Sequence, residues 1–211
     1  MQTPFPMERD EKKEYEYEQI LKRIEENHGL IKTKEIQEMG IDIRRVHAFV
    51  EEKKLTRVKN GYYTSKALSF TEEDLVVSMF PDGILTMESG AYYYGYLKNR
   101  PANWSVAISK NTSKSRFKLD YPIVHPFYTE EEVLKIGVCE AKLTNGSMQV
   151  YSKERLICDI LKYQEKMEPK DFKESVLSYI QDEDKDVAKL MEYARERKVL
   201  KKVQMMIGVW L

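Results

Sequence analysis

An Asn60-Gly61 pair stands between two short β-favouring runs, Leu55-Thr-Arg-Val-Lys59 and Tyr62-Tyr-Thr64. A two-residue type I′ turn needs positive φ at both central positions, which Asn and Gly tolerate best, so this pair is the strongest hairpin signal in the chain. The sequence before it has a helical period. Tyr17, Ile20, Leu21, Ile24 and His28 fall on one face, and Gly29 ends that helix. A second, short helix is predicted from Thr33, as N-cap, to Met39, with Ile36 and Met39 turned inward and Gly40 as its stop. Asp42 then caps a third helix whose buried stripe is Ile43, Val46, Phe49 and Val50. Three short helices and a hairpin within about fifty residues is the order of a winged helix-turn-helix.

The expected fold class is α+β: a winged helix-turn-helix over residues 15–66, then a mixed α/β C-terminal domain over 67–211 that ends in a helical bundle. Residues 1–14 are polar, proline-bearing and aperiodic, and read as a loose arm. In the second domain Thr71-Glu-Glu-Asp74 resembles a capping box that opens a helix through Val77 and Met79. Met87–Tyr96 reads as a helix, and Trp104–Ser109 and Pro122–His125 as strands. Thr129-Glu-Glu-Glu132 is read as a capping box before another short helix. Gly137–Leu143 and Met148–Tyr151 flank Asn145-Gly146, a second hairpin signal. Four apolar stripes follow: Leu156, Ile157, Ile160 and Leu161; Phe172, Val176, Leu177 and Ile180; Val187, Leu190, Met191 and Ala194; Val203, Ile207 and Trp210.

The 211 residues carry 35 basic and 35 acidic side chains, so the distribution of charge matters more than its total. Between Ile43 and Lys66 there are seven cations (Arg44, Arg45, Lys53, Lys54, Arg57, Lys59, Lys66) and two acids, Glu51 and Glu52. With the apolar stripe of the third helix inward, Arg44, Arg45, His47 and Ala48 should point outward from its first turns. That is what a recognition helix presents to a DNA groove. Lys32 and Lys34 at the second helix are candidate phosphate contacts, and Arg57, Lys59 and Asn60 are candidates on the wing. The competing reading takes these as solvated side chains on a protein-docking module.

Several segments resemble the AbiEi antitoxin family, bacterial abortive-infection proteins of the type IV toxin–antitoxin class. They are the opening helices, Gly40-Ile-Asp-Ile-Arg-Arg45, the wing ending Asn60-Gly-Tyr-Tyr63, and Met87-Glu-Ser-Gly-Ala-Tyr-Tyr-Tyr-Gly95. More specific are Tyr151-Ser-Lys-Glu-Arg-Leu-Ile-Cys-Asp-Ile-Leu161, similar to the family's Ser-x-Glu-Arg-x-x-x-Asp motif, and Lys189-Leu-Met-Glu-Tyr-Ala194. Leu156 stands where that family often has threonine. The resemblance implies a non-enzymatic autorepressor that binds double-stranded DNA at inverted repeats. Its C-terminal domain would counter a nucleotidyltransferase toxin without a stable complex. A monomer in solution, two copies of which meet on an inverted repeat, would suffice. The alternatives are a plain winged-helix transcription factor and a nucleic-acid-modifying enzyme tethered by its winged helix.

Other constellations point elsewhere or nowhere. Glu154, Arg155 and Asp159 could suggest catalytic carboxylates, but Arg155 and Asp159 are four apart on a helix capped by Ser152, so an exposed ion pair is the simpler reading. His28, His47 and His125 are scattered, with His28 expected half-buried, and no spacing suits a metal; no cofactor motif occurs. Cys139 and Cys158 lie in apolar patterns; they could pair, but are expected to be buried free thiols of a reducing, cytoplasmic compartment. Tyr92, Tyr93, Tyr94 and Tyr96 read as a packing belt or as a base-stacking platform. A second basic surface is sketched by Lys98, Arg100, Lys110, Lys114, Arg116 and Lys118, with Lys198 and its neighbours near the C-terminus. No apolar run has the length of a membrane span, so no membrane partner is expected.

Overall fold

The computed structural model describes residues 8–68, 70–143 and 146–210. Among them it is a mixed α+β protein with ten α-helices and two sheets. The chain divides into two compact units, one running to Met79 and including Lys118–Pro122, the other comprising Phe80–Phe117 and the chain from Ile123 onward.

The first unit opens with α1 (Arg9–Glu26). Residues 1–7 lie outside the described residues, but from Arg9 to Glu14 the expected loose arm is helix. Apolar periodicity missed these turns because charges hold them. The Glu8 N–H donates to the Glu11 carboxylate at 3.2 Å, and Asp10 and Glu11 face the positive end of the helix dipole. Lys13 pairs with Glu52 at 2.5 Å, and Glu14 with Lys54 at 2.8 Å. The helix ends two residues before His28, which sits exposed at φ +55° instead of half-buried on the stripe.

After β1 (Ile31–Lys32) comes α2 (Thr33–Glu38), whose N-cap is Lys32 and not Thr33. Glu35 accepts from the Lys32 N–H at 2.8 Å, while the Thr33 N–H is taken by the Gly61 carbonyl at 2.9 Å. In α3 (Ile43–Glu51) the Asp42 side chain accepts from the Arg44 N–H at 2.8 Å, the expected cap. Val46 and Phe49 are buried with Tyr17, Ile20, Ile24, Ile31, Ile36, Leu55 and Tyr63. The strands β2 (Thr56–Lys59) and β3 (Tyr62–Thr64) pair antiparallel about Gly61, at φ +77°, and β1 adds to β3 in the order β1-β3-β2. Asn60 does not take positive φ, so the hairpin forms without the type I′ turn expected. In α4 (Glu72–Met79), Thr71 and Asp74 cap each other reciprocally, and Leu75 packs with Leu30 and Val58.

The second unit is built on a five-stranded mixed sheet, order β6-β5-β4-β8-β7. Its elements begin with β4 (Ile84–Leu85), α5 (Met87–Tyr93) and β5 (Trp104–Ser109). They continue with β6 (Val124–Thr129), α6 (Glu131–Leu134), β7 (Val138–Leu143) and β8 (Gly146–Tyr151). The pairs β4–β8 and β5–β6 are parallel, and β4–β5 and β7–β8 antiparallel. The second hairpin therefore forms as expected, with Leu143 opposite Gly146; Asn145, half of its turn signal, lies outside the described residues. The box expected at Thr129–Glu132 does not form. Thr129 ends β6 and donates its hydroxyl to the Phe127 carbonyl, leaving Glu130 at the N-cap.

Four helices complete the unit: α7 (Lys153–Lys162), α8 (Pro169–Gln181), α9 (Val187–Glu196) and α10 (Leu200–Met206). The core gathers Leu156, Ile157, Ile160 and Leu161 with Val176, Tyr179, Leu190, Ala194, Val203 and Ile207. Three residues assigned to the apolar stripes, Leu177, Val187 and Trp210, are exposed; Trp210 lies in a 3₁₀ turn beyond α10. Both cysteines are free thiols, Cys158 buried but Cys139 exposed on the edge strand β7, where alternate side chains face outward.

Candidate functional site

The side chains expected to meet DNA all lie on the first unit, and they differ in how free they are. Asp42 fixes the first turn of α3, and Arg44, 88 % exposed, folds back on it with Nη2 3.0 Å from Oδ2. The Arg44 guanidinium holds the Asp42 carboxyl below its ordinary range. His47 is exposed one turn further on, and Ala48 half-buried. Arg45, expected to point outward, instead leans on α1: its Nε donates to Glu16 at 2.8 Å and its side chain is only 26 % exposed.

The hairpin places a row of side chains across the small sheet. Lys32, Tyr62 and Lys59 are register partners on β1, β3 and β2. Lys59 Nζ lies 4.3 Å and Lys32 Nζ 5.8 Å from the centre of the Tyr62 ring. Such cation–π contacts hold the stems of the two lysines against the ring. The Thr33-to-Gly61 hydrogen bond pins the start of α2 to the hairpin turn, so Lys34 and Asn60, both exposed, belong to the same edge. Lys34 has a loose i,i+4 contact with Glu38 at 3.8 Å. Arg57 donates to Asp120 at 2.8 Å.

The charge excess read along the sequence is thus partly answered in space. Arg44, Arg45, Lys54 and Arg57 each face an acid that lies outside the 43–66 stretch: Asp42, Glu16, Glu14 and Asp120. Sequence reasoning missed these partners because all but Asp42 come from distant parts of the chain.

The second basic surface does not form one row. Lys98, Arg100 and Lys114 are exposed, and Arg100 stacks over Trp104 at 5.3 Å. Arg116 is committed to Asp82 through two hydrogen bonds of 2.8 and 2.5 Å and lies over the Phe80 ring. Lys118 belongs to the other compact unit. Lys198 is exposed between α9 and α10 at φ +58°.

Glu154, Arg155 and Asp159 correct the expectation of an exposed ion pair, for all three are buried. Arg155 is 0 % exposed, with its Nε 3.3 Å from Asp159 Oδ2 and its Nη1 bonded to the carbonyls of Val133 (2.7 Å) and Ile136 (3.0 Å). Its guanidinium lies 4.2 Å from the Tyr151 ring centre. Arg197, which sequence reasoning did not single out for this site, donates to the other carboxylate oxygen at 2.6 Å. The Glu154 carboxylate receives the Asp186 N–H at 3.0 Å, and Asp186 itself caps α9. Two guanidiniums share one carboxylate away from solvent, an arrangement that braces α6, α7 and α9.

The tyrosines split in the same way. Tyr94 donates to the Tyr151 carbonyl at 3.0 Å and Tyr96 to Asp182 at 2.5 Å, and burial raises both phenols above their ordinary range. Tyr92 and Tyr93 are exposed. Among the described residues no group of three or more His, Cys, Asp or Glu side chains could hold a metal, and no helix is long and apolar enough to cross a membrane. No protein-family model matches the chain, and no curated protein matches it.

Proposed function

We propose that the N-terminal unit is a winged helix-turn-helix that docks α3 on duplex DNA, with the β2–β3 hairpin as its wing. The observation that carries this reading is the capped start of α3, which presents Arg44 and His47 outward, on a unit whose small sheet carries the Lys32–Tyr62–Lys59 row. The first supplies side chains suited to base edges and phosphates, the second cations held for the backbone. Lys34 and Asn60 extend the phosphate edge, and Arg45 and Arg57 join only by exchanging their carboxylate partners for phosphate.

On this reading the chain is a cytoplasmic autorepressor and antitoxin. Two copies on an inverted repeat would repress its operon, and the C-terminal unit would oppose a nucleotidyltransferase toxin without a lasting complex and without catalysis. The antitoxin half is supported by the motif resemblance at 151–161 and 189–194. The test is titration of the purified protein against its own upstream DNA and a scrambled duplex at several salt concentrations. Preference for the upstream duplex, with affinity falling steeply as salt rises, is expected. Weak and equal binding to both duplexes would remove the operator reading. Co-expression with a nucleotidyltransferase encoded beside it tests the antitoxin half separately, and continued growth arrest would sink it.

A further inference from the structure

The connection between α9 and α10 lines an open cleft of about 610 Å³ in the second unit. Its charged lining is wholly basic: Lys162, Arg195, Arg197, Lys198, Lys201 and Lys202, with Ala194, Val199 and Leu200 between them. Three elements converge there. Lys162 ends α7, Arg195 lies in the last turn of α9, and Lys201 and Lys202 lie in the first turn of α10. Lys198 makes the turn between the last two, in a left-handed conformation at φ +58°.

The cations are positioned and not merely adjacent in sequence. Lys162 Nζ donates to the Arg197 carbonyl at 3.4 Å, and Lys202 Nζ to the Leu161 carbonyl at 3.0 Å, so each reaches from its own helix to the other side. Arg197 spends its Nε on Asp159, but its Nη2 is buried without a hydrogen-bond partner. A buried donor left unmatched costs free energy, and so does a cluster of like charges. Burial first, and then the neighbouring Arg197 guanidinium, hold the Lys162 ammonium below its ordinary range, although Asp159 opposes the shift.

We propose that this cleft binds a small oligophosphate anion, held through clustered phosphate oxygens by Lys162, Arg195, Lys198 and Lys201. Phosphate chemistry suits the lining because ammonium and guanidinium donors converge there with no carboxylate lining the cleft among the described residues. The volume lies within the range of small-molecule sites, roughly 300–1,000 Å³. The apolar part of the lining is Ala, Val and Leu, with no aromatic face on which a base would stack. A nucleic-acid strand would call for a longer track than one helix connection supplies. The site lies on the second unit and is independent of the DNA reading, which rests on the first.

The experiment is isothermal titration of the full chain with sodium tripolyphosphate at about 0.1 M ionic strength, where exposed charges are already partly screened. Saturable binding of one anion per chain is expected. The double variant Lys198→Glu, Lys201→Glu, made at two exposed positions, should weaken it by roughly tenfold or more. The control Lys98→Glu, Lys114→Glu, with the same charge change elsewhere on the unit, should leave it unaltered. Circular dichroism checks the fold of each, and Lys198→Gln, Lys201→Gln replaces the first pair if reversal unfolds it. Absence of tripolyphosphate binding would overturn the proposal, as would equal loss in both double variants. So would cleft-dependent binding of a single-stranded 20-mer RNA that tripolyphosphate fails to displace.

Discussion

Asp159 and Arg197, thirty-eight positions apart in sequence, meet at 2.6 Å with each side chain only 3 % exposed. Arg155 holds the other oxygen of the same carboxylate, so two buried guanidiniums share the charge of one acid. Removing that acid leaves both cations without a charge partner in a low-dielectric interior. Asp159→Asn is therefore expected to destabilise the chain by roughly 3–5 kcal/mol, the range for breaking a buried pair by losing one partner. Urea unfolding of the variant against wild type measures it. A loss below about 1 kcal/mol would mean that the guanidiniums are satisfied by carbonyls alone and that the carboxylate is dispensable to the fold.

A second, half-buried acid, Asp182, gives a pH dependence. Burial works to raise the Asp182 carboxyl, but Lys153 Nζ at 2.7 Å, the Tyr96 hydroxyl and the Asp184 N–H at 2.9 Å together hold it below its ordinary value. A folded pKa below the unfolded value of about 3.9 means that the carboxylate stabilises the fold at neutral pH. That contribution is lost as pH falls through the unfolded value and then the lower folded one. The stability difference between wild type and Asp182→Asn, measured by denaturant unfolding, should be full at pH 7 and shrink progressively below pH of about 4. A difference that stays constant to pH of about 3 would show that the group titrates alike in both states.

The two cysteines should differ sharply in reactivity. Burial pushes the Cys158 thiol up to about 12, whereas Cys139 is exposed. Since the thiolate is the nucleophile, iodoacetamide at pH of about 8 should modify one thiol in the native protein and the second only after denaturation. Mass spectrometry of a tryptic digest assigns the sites. Native-state labelling of Cys158 at a rate like that of Cys139 would reveal frequent opening around α7.

What the sequence made legible followed from local physics. Asn60-Gly61 announced the first hairpin because turn geometry is decided by adjacent residues, and α3 was read with its cap because Asp42 and the apolar stripe lie within ten positions. What stayed hidden depended on distant partners. The first turns of α1 are held by ion pairs to Glu52 and Lys54, which apolar periodicity does not register. In α7 the eight residues from Glu154 to Leu161 are all buried, so the assumption that charged positions mark the solvent face failed at Glu154, Arg155 and Asp159. The strand β4 is central to its sheet yet only two residues long, too short to show an alternation. At the candidate interface residue types were readable, but the retirement of Arg45 onto Glu16 was not, since α1 reads as solvated charge until it is placed beside α3.

That last pairing separates Arg44 from Arg45 experimentally. Arg44 is exposed and bound only to its own cap, so Arg44→Ala should leave the unfolding midpoint unchanged while weakening operator binding by about 1–3 kcal/mol if it reads a base, or flattening the salt slope by about one unit if it meets a phosphate. Arg45→Ala should instead cost stability, by up to about 1 kcal/mol after allowance for solvent screening, because it leaves the largely buried Glu16 unanswered. Glu16→Gln frees Arg45 without deleting it. If Arg45 turns to phosphate when α3 docks, this variant should bind the operator more tightly and with a steeper salt slope than wild type. Electrophoretic mobility shifts across a salt series, beside thermal unfolding of each variant, distinguish the cases. Wild-type affinity in Arg44→Ala, with no gain in Glu16→Gln, would place the docking surface away from the start of α3.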